Sequence, residues 1–239
     1  MDKEIDKNEH SDNENILFYN DLANTYDSIL EQTGSNKTVR QKVAEKFCST
    51  VKSGWVMDFG GGTGLDLKWL TDNNYKIFFC EPSFQMRQQA VNYNDNILHS
   101  SNIRFLDDTK TDFKTWNNKL PFSEKLNGIL SNFAVFNNIY DLELLFKNLA
   151  LVLNPGADII TLVLINSVKK NLRTNFLKAL ISLVFKKPFI FYVRNKALKQ
   201  IVYLHSVKQI KKSSNKYFNF CSCEPLTKSG FLLIHLVKK

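Results

Sequence analysis

Short apolar runs alternate with amphipathic segments between residues 16 and 166. The apolar runs, at 55–59, 75–83, 102–108, 126–136 and 157–166, are typical of buried strands. Apolar residues recur at helical spacing in five other segments, at 16–30, 37–51, 64–73, 84–94 and 141–153. Strands that alternate with helices predict crossover units, in which a parallel sheet is covered by helices on both faces.

Two more apolar runs, at 217–223 and 230–239, lie close together near the end of the chain. Their short separation predicts an antiparallel hairpin added to the sheet edge. The expected fold class is therefore α/β, with a Rossmann-like, seven-stranded, mostly parallel sheet and an antiparallel C-terminal hairpin. We expect residues 1–15, which are polar and acidic, to be a disordered tail. Residues 16–239 should form one domain, with 167–216 as a basic and apolar insertion that binds substrate or forms a lid.

The net charge of +9 is concentrated in one part of the sequence. No Asp or Glu occurs between Ile159 and Cys223, a segment that holds thirteen Lys and Arg residues, so the rest carries about −4. Within it, 176–185 predicts an apolar helix that ends before Pro188. This pattern favours contact with an anionic or amphiphilic partner, such as an anionic membrane surface or a carrier-tethered or phosphate-bearing substrate, or else a lid with a solvated lysine face.

Several classes of protein are disfavoured by the sequence. The first fifteen residues lack the apolar run of a secretory signal, and no stretch of about 18 apolar residues occurs. The four cysteines fit neither a disulfide framework nor a zinc site, so no metal is expected. We expect a cytoplasmic protein, peripheral to a membrane if the basic insertion contacts lipid. Nucleic acid is a weaker candidate partner, because aromatic residues do not alternate with the cations as stacking platforms would.

The glycine cluster in VMDFGGGTG (56–64) is the most informative segment. It ends a predicted strand and leads into a helix, so its backbone can approach a ligand closely. In open α/β sheets ligands bind at the carboxyl ends of the strands. The pattern D-x-G-x-G-T-G departs from the G-x-G-x-x-G of nicotinamide-dependent oxidoreductases. We therefore expect a nucleotide-like ligand other than a nicotinamide cofactor.

Polar residues follow the next three strands. Glu81 is placed to accept hydrogen bonds from both hydroxyls of a ribose. Asp107 and Asp108 can accept from the exocyclic amine of an adenine, and Asn132 follows the fourth strand, near the reactive end of such a ligand. These residues fall at strand ends in the order that one nucleoside would require.

These segments resemble the class I S-adenosylmethionine-dependent methyltransferase superfamily, of the small-molecule type. DFGGGTG, CEPSFQM, FLDDT and ILSNFAVF resemble its first four motifs, and LVLNPGADIITLV resembles its hairpin before strand five. FYNDLANTYD resembles the helix that precedes the fold. The resemblance covers about residues 16–166 and the last two strands, and implies that S-adenosylmethionine is held by Tyr26, Asp58, Gly60, Gly61, Gly62, Gly64, Glu81, Pro82, Met86, Asp107, Asp108 and Asn132.

The implied reaction is methyl transfer to the oxygen or nitrogen of a small acceptor, which the basic insertion suggests to be amphiphilic, anionic or carrier-tethered. In-line displacement from a sulfonium mainly requires that the two reactants be positioned. Where a base is needed, His205 is the first candidate, followed by Tyr19, Tyr26 and His99; the two tyrosines could instead pack as a lid. Two alternatives stay open: an RNA methyltransferase, and a non-catalytic accessory subunit that binds the cofactor.

Overall fold

The computed structural model describes residues 2–31, 35–94, 102–166, 187–226 and 229–239, with side chains in the first helix from Asp12 onward. A seven-stranded sheet with the order β3-β2-β1-β4-β5-β9-β8 forms its centre. The strands are β1 (Trp55–Phe59), β2 (Lys76–Cys80), β3 (Ile103–Phe105), β4 (Leu126–Ser131), β5 (Leu153–Leu164), β8 (Phe218–Leu226) and β9 (Phe231–Lys238).

The first five strands are parallel to one another, and β9 and β8 are antiparallel additions beside β5. The described helices are α1 (Asp2–Leu22), α2 (Tyr26–Glu31), α3 (Ser35–Thr50), α4 (Leu67–Asp72), α5 (Phe84–Tyr93), α6 (Asp108–Thr111), α7 (Leu142–Val152) and α8 (Val207–Ser214). Two 3-10 helices lie at Phe113–Thr115 and Val135–Asn138. This architecture confirms the predicted fold class.

Alternation along the strands creates a hydrophobic core on each face of the sheet. In β1, Met57 and Phe59 belong to one core, whereas Val56 belongs to the other. Helix α7, which Asp141 caps by accepting from the Leu144 N–H at 2.9 Å, covers the first core. Helices α3, α4 and α5 cover the second. Both faces are thereby buried, as a parallel sheet requires.

Helix α1 begins at Asp2 and so includes residues 2–15, for which the sequence predicted a disordered tail. Asn15 is 5% exposed, and its Nδ2 donates to the Ile201 carbonyl at 3.1 Å while the Ile201 N–H donates to its Oδ1 at 2.7 Å. Phe18 is also buried. These contacts are with strand β7 (Leu198–Leu204), far along the chain, and the polarity of residues 1–15 could not predict them. The single predicted helix over 16–30 is divided, because α1 ends at Leu22 and α2 begins at Tyr26.

The described part of the predicted insertion is a β-hairpin followed by a short helix. Among the described residues, strands β6 (Phe189–Asn195) and β7 (Leu198–Leu204) pair only with each other, in antiparallel orientation, and α8 follows them. The helix predicted at 176–185 lies outside the described residues. Within the described ranges, no helix has the length and apolar character needed to cross a membrane.

Candidate functional site

A cavity of about 630 Å³ lies at the carboxyl ends of β1, β2 and β4, and α1 supplies part of its lining. The glycine turn and the end of β2 form one wall, and the 3-10 helix at Val135–Asn138 packs beside this wall, since a Cβ atom at Gly60 would lie 2.5 Å from Val135. From α1, the cavity is lined by Asp12, Asn13, Asn15, Ile16 and Tyr19. The topology thus places the cavity where an open α/β sheet binds its ligands.

The glycine turn has a backbone that other residues would strain or block. Gly60, Gly62 and Gly64 have φ angles of +75°, +58° and +79°. At Gly61 a Cβ atom would lie 2.2 Å from the Phe79 ring and 2.8 Å from Oδ2 of Asp58. Gly60, Gly61 and Gly62 line the cavity, so the backbone itself forms this wall, whereas Gly64 is absent from the lining and packs against α5.

Glu81, directly after β2, is fixed beside this turn. Its Oε2 accepts from the Gly62 N–H at 3.0 Å, and its Oε1 accepts from the Ser83 N–H at 2.8 Å. Burial raises the pKa of Glu81, and the N–H groups of Ser83 and Gly62 oppose that rise. The carboxylate is 7% exposed and lines the cavity, together with Pro82 and Met86. Each oxygen still has a lone pair with which to accept from a ligand.

The two adjacent acids after β3 have different positions. Asp108 lines the cavity and pairs with Arg87, which also donates to the Glu81 carbonyl. Asp107 is not in the lining; it caps α6 by accepting from the Thr109 N–H at 3.1 Å. A hydrogen bond from Lys110 is the main cause that lowers the pKa of Asp107 to about 2. The structure therefore brings Asp108, and not Asp107, to the cavity.

Asp58 is close to the turn but behind it. It is 1% exposed and does not line the cavity, and no donor among the described residues reaches either of its oxygens. Burial and the nearby Asp66 carboxylate raise the pKa of Asp58, which Arg40 partly lowers. The sequence predicted that Asp58 contacts the ligand directly, but Asp58 is not among the residues that line the cavity.

Arg40 and Asp66 line the cavity and were missed in the sequence, because neither follows a strand. The Arg40 guanidinium lies 2.6 Å from Oδ2 of Asp66 and 4.7 Å from the centre of the Phe133 ring. Asn132, which was predicted, lines the cavity and donates to the same Asp66 oxygen at 3.1 Å. The only signal in the sequence is an Arg in the helix that precedes the first strand, and such a residue is too common to be interpreted alone.

The candidate bases occupy different positions. Tyr19 and Tyr26 line the cavity with ring centres 6.2 Å apart, and burial is the main cause that raises the pKa of each, to about 12 for Tyr19. His205 does not line it; its Nε2 lies 2.8 Å from the Ile139 carbonyl oxygen. Burial lowers the pKa of His205 to about 4, which makes it a weaker base than an ordinary histidine. His99 lies outside the described residues.

The described residues contain no group of three or more His, Cys, Asp or Glu that could bind a metal. What they do place around one cavity is a glycine turn, a buried carboxylate at the second strand end, an acid at the third and an amide at the fourth. An elongated ligand with hydroxyl and amine donors fits this row of acceptors.

Comparisons with known proteins identify the family and the fold of this chain. A methyltransferase domain family matches residues 32–203, which is most of the chain. No curated protein sequence matches the chain. Among known structures, the DhpI–SAH complex has a TM-score of 0.69 at 12% identity, over 95% of this chain and 97% of that one.

Two further structures have the same fold. A S-adenosylmethionine-dependent methyltransferase from Clostridium acetobutylicum ATCC 824 has a TM-score of 0.63 at 16% identity, over 92% of this chain and 98% of that one. The glycopeptide N-methyltransferase MtfA, complexed with S-adenosyl-L-methionine, has a TM-score of 0.59 at 10% identity, over 82% and 86%. Because the family match spans more than half of the chain, the chain belongs to the methyltransferase domain family.

Proposed function

We propose that the cavity binds S-adenosylmethionine and that the protein transfers its methyl group to a small acceptor held beneath α1. The observation that carries this proposal is the buried Glu81 carboxylate, fixed by the Gly62 and Ser83 N–H groups at the edge of the glycine turn. A carboxylate in that position can accept from two neighbouring ribose hydroxyls. The ribose would then lie against glycine backbone, where a side chain would collide.

Other residues of the cavity lining can hold the two ends of S-adenosylmethionine. On the Asp108 side, the carboxylate can accept from the adenine amine, and buried Met86 supplies an apolar surface for the ring. On the other side, Arg40 is a lining cation and can pair with the methionine carboxylate. Asn132 lies close to Arg40, because both side chains contact the same oxygen of Asp66. A hydrogen-bond acceptor thus faces the adenine amine at one end, and a cation faces the methionine carboxylate at the other.

The acceptor would occupy the part of the cavity between α1 and the 3-10 helix at Val135–Asn138. This part is lined by Tyr19, Asn138, Tyr140 and Lys114. Lys114 pairs with Asp12 of α1 at that end. The whole cavity has a volume of about 630 Å³, which suits the donor together with a small molecule or the end of a tethered one. We propose an amphiphilic, anionic or carrier-tethered acceptor, methylated by in-line displacement.

Contact with an anionic membrane surface is supported by one feature of the β6–β7 hairpin. Tyr192 and Val193 are 49% and 40% exposed, beside exposed Arg194 and Lys196. Apolar side chains flanked by cations suit an anionic lipid surface. Sedimentation with phosphatidylserine vesicles tests this role. Val193→Ser with Arg194→Gln should reduce binding, and unchanged binding would rule out the hairpin as the contact.

Isothermal titration with S-adenosylmethionine and S-adenosylhomocysteine tests the donor site. Glu81→Gln replaces one accepting oxygen by an amide donor of similar size, and we expect affinity to fall by roughly 10-fold or more. Glu45→Gln, on the exposed face of α3, is the matched control and should bind normally. Equal affinity of the Glu81 variant and the native protein would refute the ribose assignment.

Two alternatives predict different results. An accessory subunit would bind the donor but transfer no methyl group to any small acceptor, whereas an RNA methyltransferase would transfer it to RNA. Incubation with methyl-labelled S-adenosylmethionine and either total RNA or a panel of small acceptors separates them. Labelled small-molecule product supports the proposal made here, and labelled RNA alone contradicts it.

A further inference from the structure

A second concave surface lies between α7 and α8, outside the cavity. This groove has a volume of about 390 Å³, and Glu143, Leu144 and Lys147 of α7 line one part of it. Lys212 of α8 and the residues just after that helix line the other part. Leu144 also belongs to the lining of the cavity. The groove and the cavity therefore adjoin at the first turn of α7.

Three exposed lysines, Lys147, Lys212 and Lys216, line the groove. Among the described residues, none of the three ammonium groups forms an ion pair or a hydrogen bond. Lys212 and Lys216 belong to the long segment of the sequence that contains no Asp or Glu. Of the described residues that line the groove, only Glu143 is acidic. The groove therefore has an excess of positive charge that its own lining does not neutralise.

The groove is preformed, because α8 is fixed against α7. Ile210 of α8 is buried in the same hydrophobic core as Leu145 of α7. At the start of α8, Ser206 Oγ accepts from the Gln209 N–H at 3.2 Å, and Gln209 Oε1 accepts from the Ser206 N–H at 2.7 Å. A surface held in this way loses little freedom when a partner binds to it.

Apolar groups lie between these cations. Leu144 and Tyr217 are half-buried and line the groove, and the lysine stems are themselves apolar. This combination matches an amphipathic helix that carries acidic residues beside an apolar stripe. A nucleic acid fits less well, because Glu143 would repel its continuous row of phosphates, and a flat lipid surface does not enter a concave groove. A helix can place an apolar side chain opposite Glu143.

We propose that the groove between α7 and α8 binds an acidic amphipathic helix of a protein partner. Carboxylates of that helix pair with the three lysines, and its apolar side chains contact Leu144 and Tyr217. A helix seated there lies next to the cavity, because Leu144 is common to both linings. This inference goes beyond the proposed function, since it assigns a partner surface outside the cavity and does not depend on which acceptor is methylated.

Fluorescence anisotropy with a labelled helical peptide of about 18 residues tests the inference. The acidic peptide carries Asp and Glu on both sides of an apolar stripe, and a neutral peptide has Asn and Gln in their place. A uridine oligonucleotide and phosphatidylserine vesicles are probes for the other two classes of partner.

Two variants with the same net charge locate the binding surface. The groove variant combines Lys147→Glu, Lys212→Glu and Lys216→Glu. The control variant makes the same change at three exposed lysines elsewhere, Lys42, Lys52 and Lys119. S-adenosylhomocysteine should bind both variants as it binds the native protein, which checks that they are folded. If the groove variant does not fold, the corresponding Lys→Gln variant takes its place.

We expect the native protein and the control variant to bind the acidic peptide with a Kd below about 100 µM. The groove variant should bind it at least about tenfold more weakly. The neutral peptide should bind poorly to all three proteins. Raising NaCl from about 0.15 to about 0.5 M should weaken the native complex, because salt screens exposed charges.

Three results would overturn the inference: no binding of the acidic peptide to the native protein, an equal loss of affinity in the groove and control variants, or tighter binding of the neutral peptide. A groove variant that keeps the peptide but loses the oligonucleotide or the vesicles would also overturn it, since the groove would then serve that partner. If S-adenosylhomocysteine does not bind the native protein, the proposed function fails, and the peptide titrations still decide this inference.

Discussion

The Arg40 guanidinium lies 2.6 Å from the Asp66 carboxylate, with side chains that are 21% and 5% exposed. Trp69 Nε1 donates to the other Asp66 oxygen at 2.8 Å, so the carboxylate is held from two sides. The ion pair fixes the guanidinium at the cavity wall, next to Asn132. A cation that is already oriented loses little entropy when it binds an anion. This is the basis for assigning the methionine end of the donor to Arg40.

Arg40→Gln should weaken binding of S-adenosylhomocysteine by about 10- to 150-fold, which corresponds to roughly 1.5–3 kcal/mol for a charged hydrogen bond. 5′-Methylthioadenosine has no carboxylate, so its affinity should hardly change. Isothermal titration with both ligands makes this comparison. Arg104→Gln, which breaks the exposed pair with Glu124, is the control. A parallel loss for both ligands would mean that Arg40 supports the fold of the site and does not bind the carboxylate.

The two central glycines of the turn should respond differently to alanine. At Gly61 the new Cβ would lie 2.2 Å from Phe79, so the substitution should destabilise the protein by about 1–3 kcal/mol through overpacking. At Gly62 the nearest atom would be Tyr26 Cε1 at 3.7 Å, an ordinary contact. Only the positive φ remains there, which costs roughly 1–2 kcal/mol. Thermal unfolding should rank Gly61→Ala as the less stable variant.

Much of the sheet could be predicted from the sequence, because its determinants are local. Buried parallel strands appear as apolar runs, and positive φ angles at the turn require glycine. Arg40 could not be identified as a site residue, since its role depends on where α3 packs against the turn. The helix at the start of the chain was not predicted either, because the contacts that hold it are distant in sequence. Asn15 donates a hydrogen bond to the Ile201 carbonyl, 186 residues away. Contacts of that range leave no local periodic signal.

His205 should make stability depend on pH. Its folded pKa is lowered to about 4, whereas an unfolded histidine titrates near 6.5. The unfolded state therefore binds more protons between these values, and stability is lost as the pH falls from about 6.5 to 4. The loss should approach about 3 kcal/mol near pH 4. His205→Gln should show a flatter profile in urea unfolding at pH 7 and pH 5. A variant as acid-sensitive as the native protein would contradict this.

The attachment of α1 should depend more on one buried amide than on its ion pairs. Asn15 satisfies both the N–H and the carbonyl of Ile201, and each buried group left unpaired costs about 1–3 kcal/mol. The pair between Glu14 and Lys199, at 3.0 Å, has a half-exposed lysine, and such pairs contribute about 0–1 kcal/mol.

Asn15→Leu, which keeps the bulk and removes the polar atoms, should therefore release α1 from β7. Hydrogen exchange of the α1 amides should become markedly faster, and labelled methyl transfer should fall because the cavity loses its cover. Lys199→Gln should change both measurements little, as should raising NaCl from 0.05 to 0.5 M. If salt or the lysine variant accelerated exchange as much as Asn15→Leu, the ion pairs and not the amide would hold the helix over the cavity.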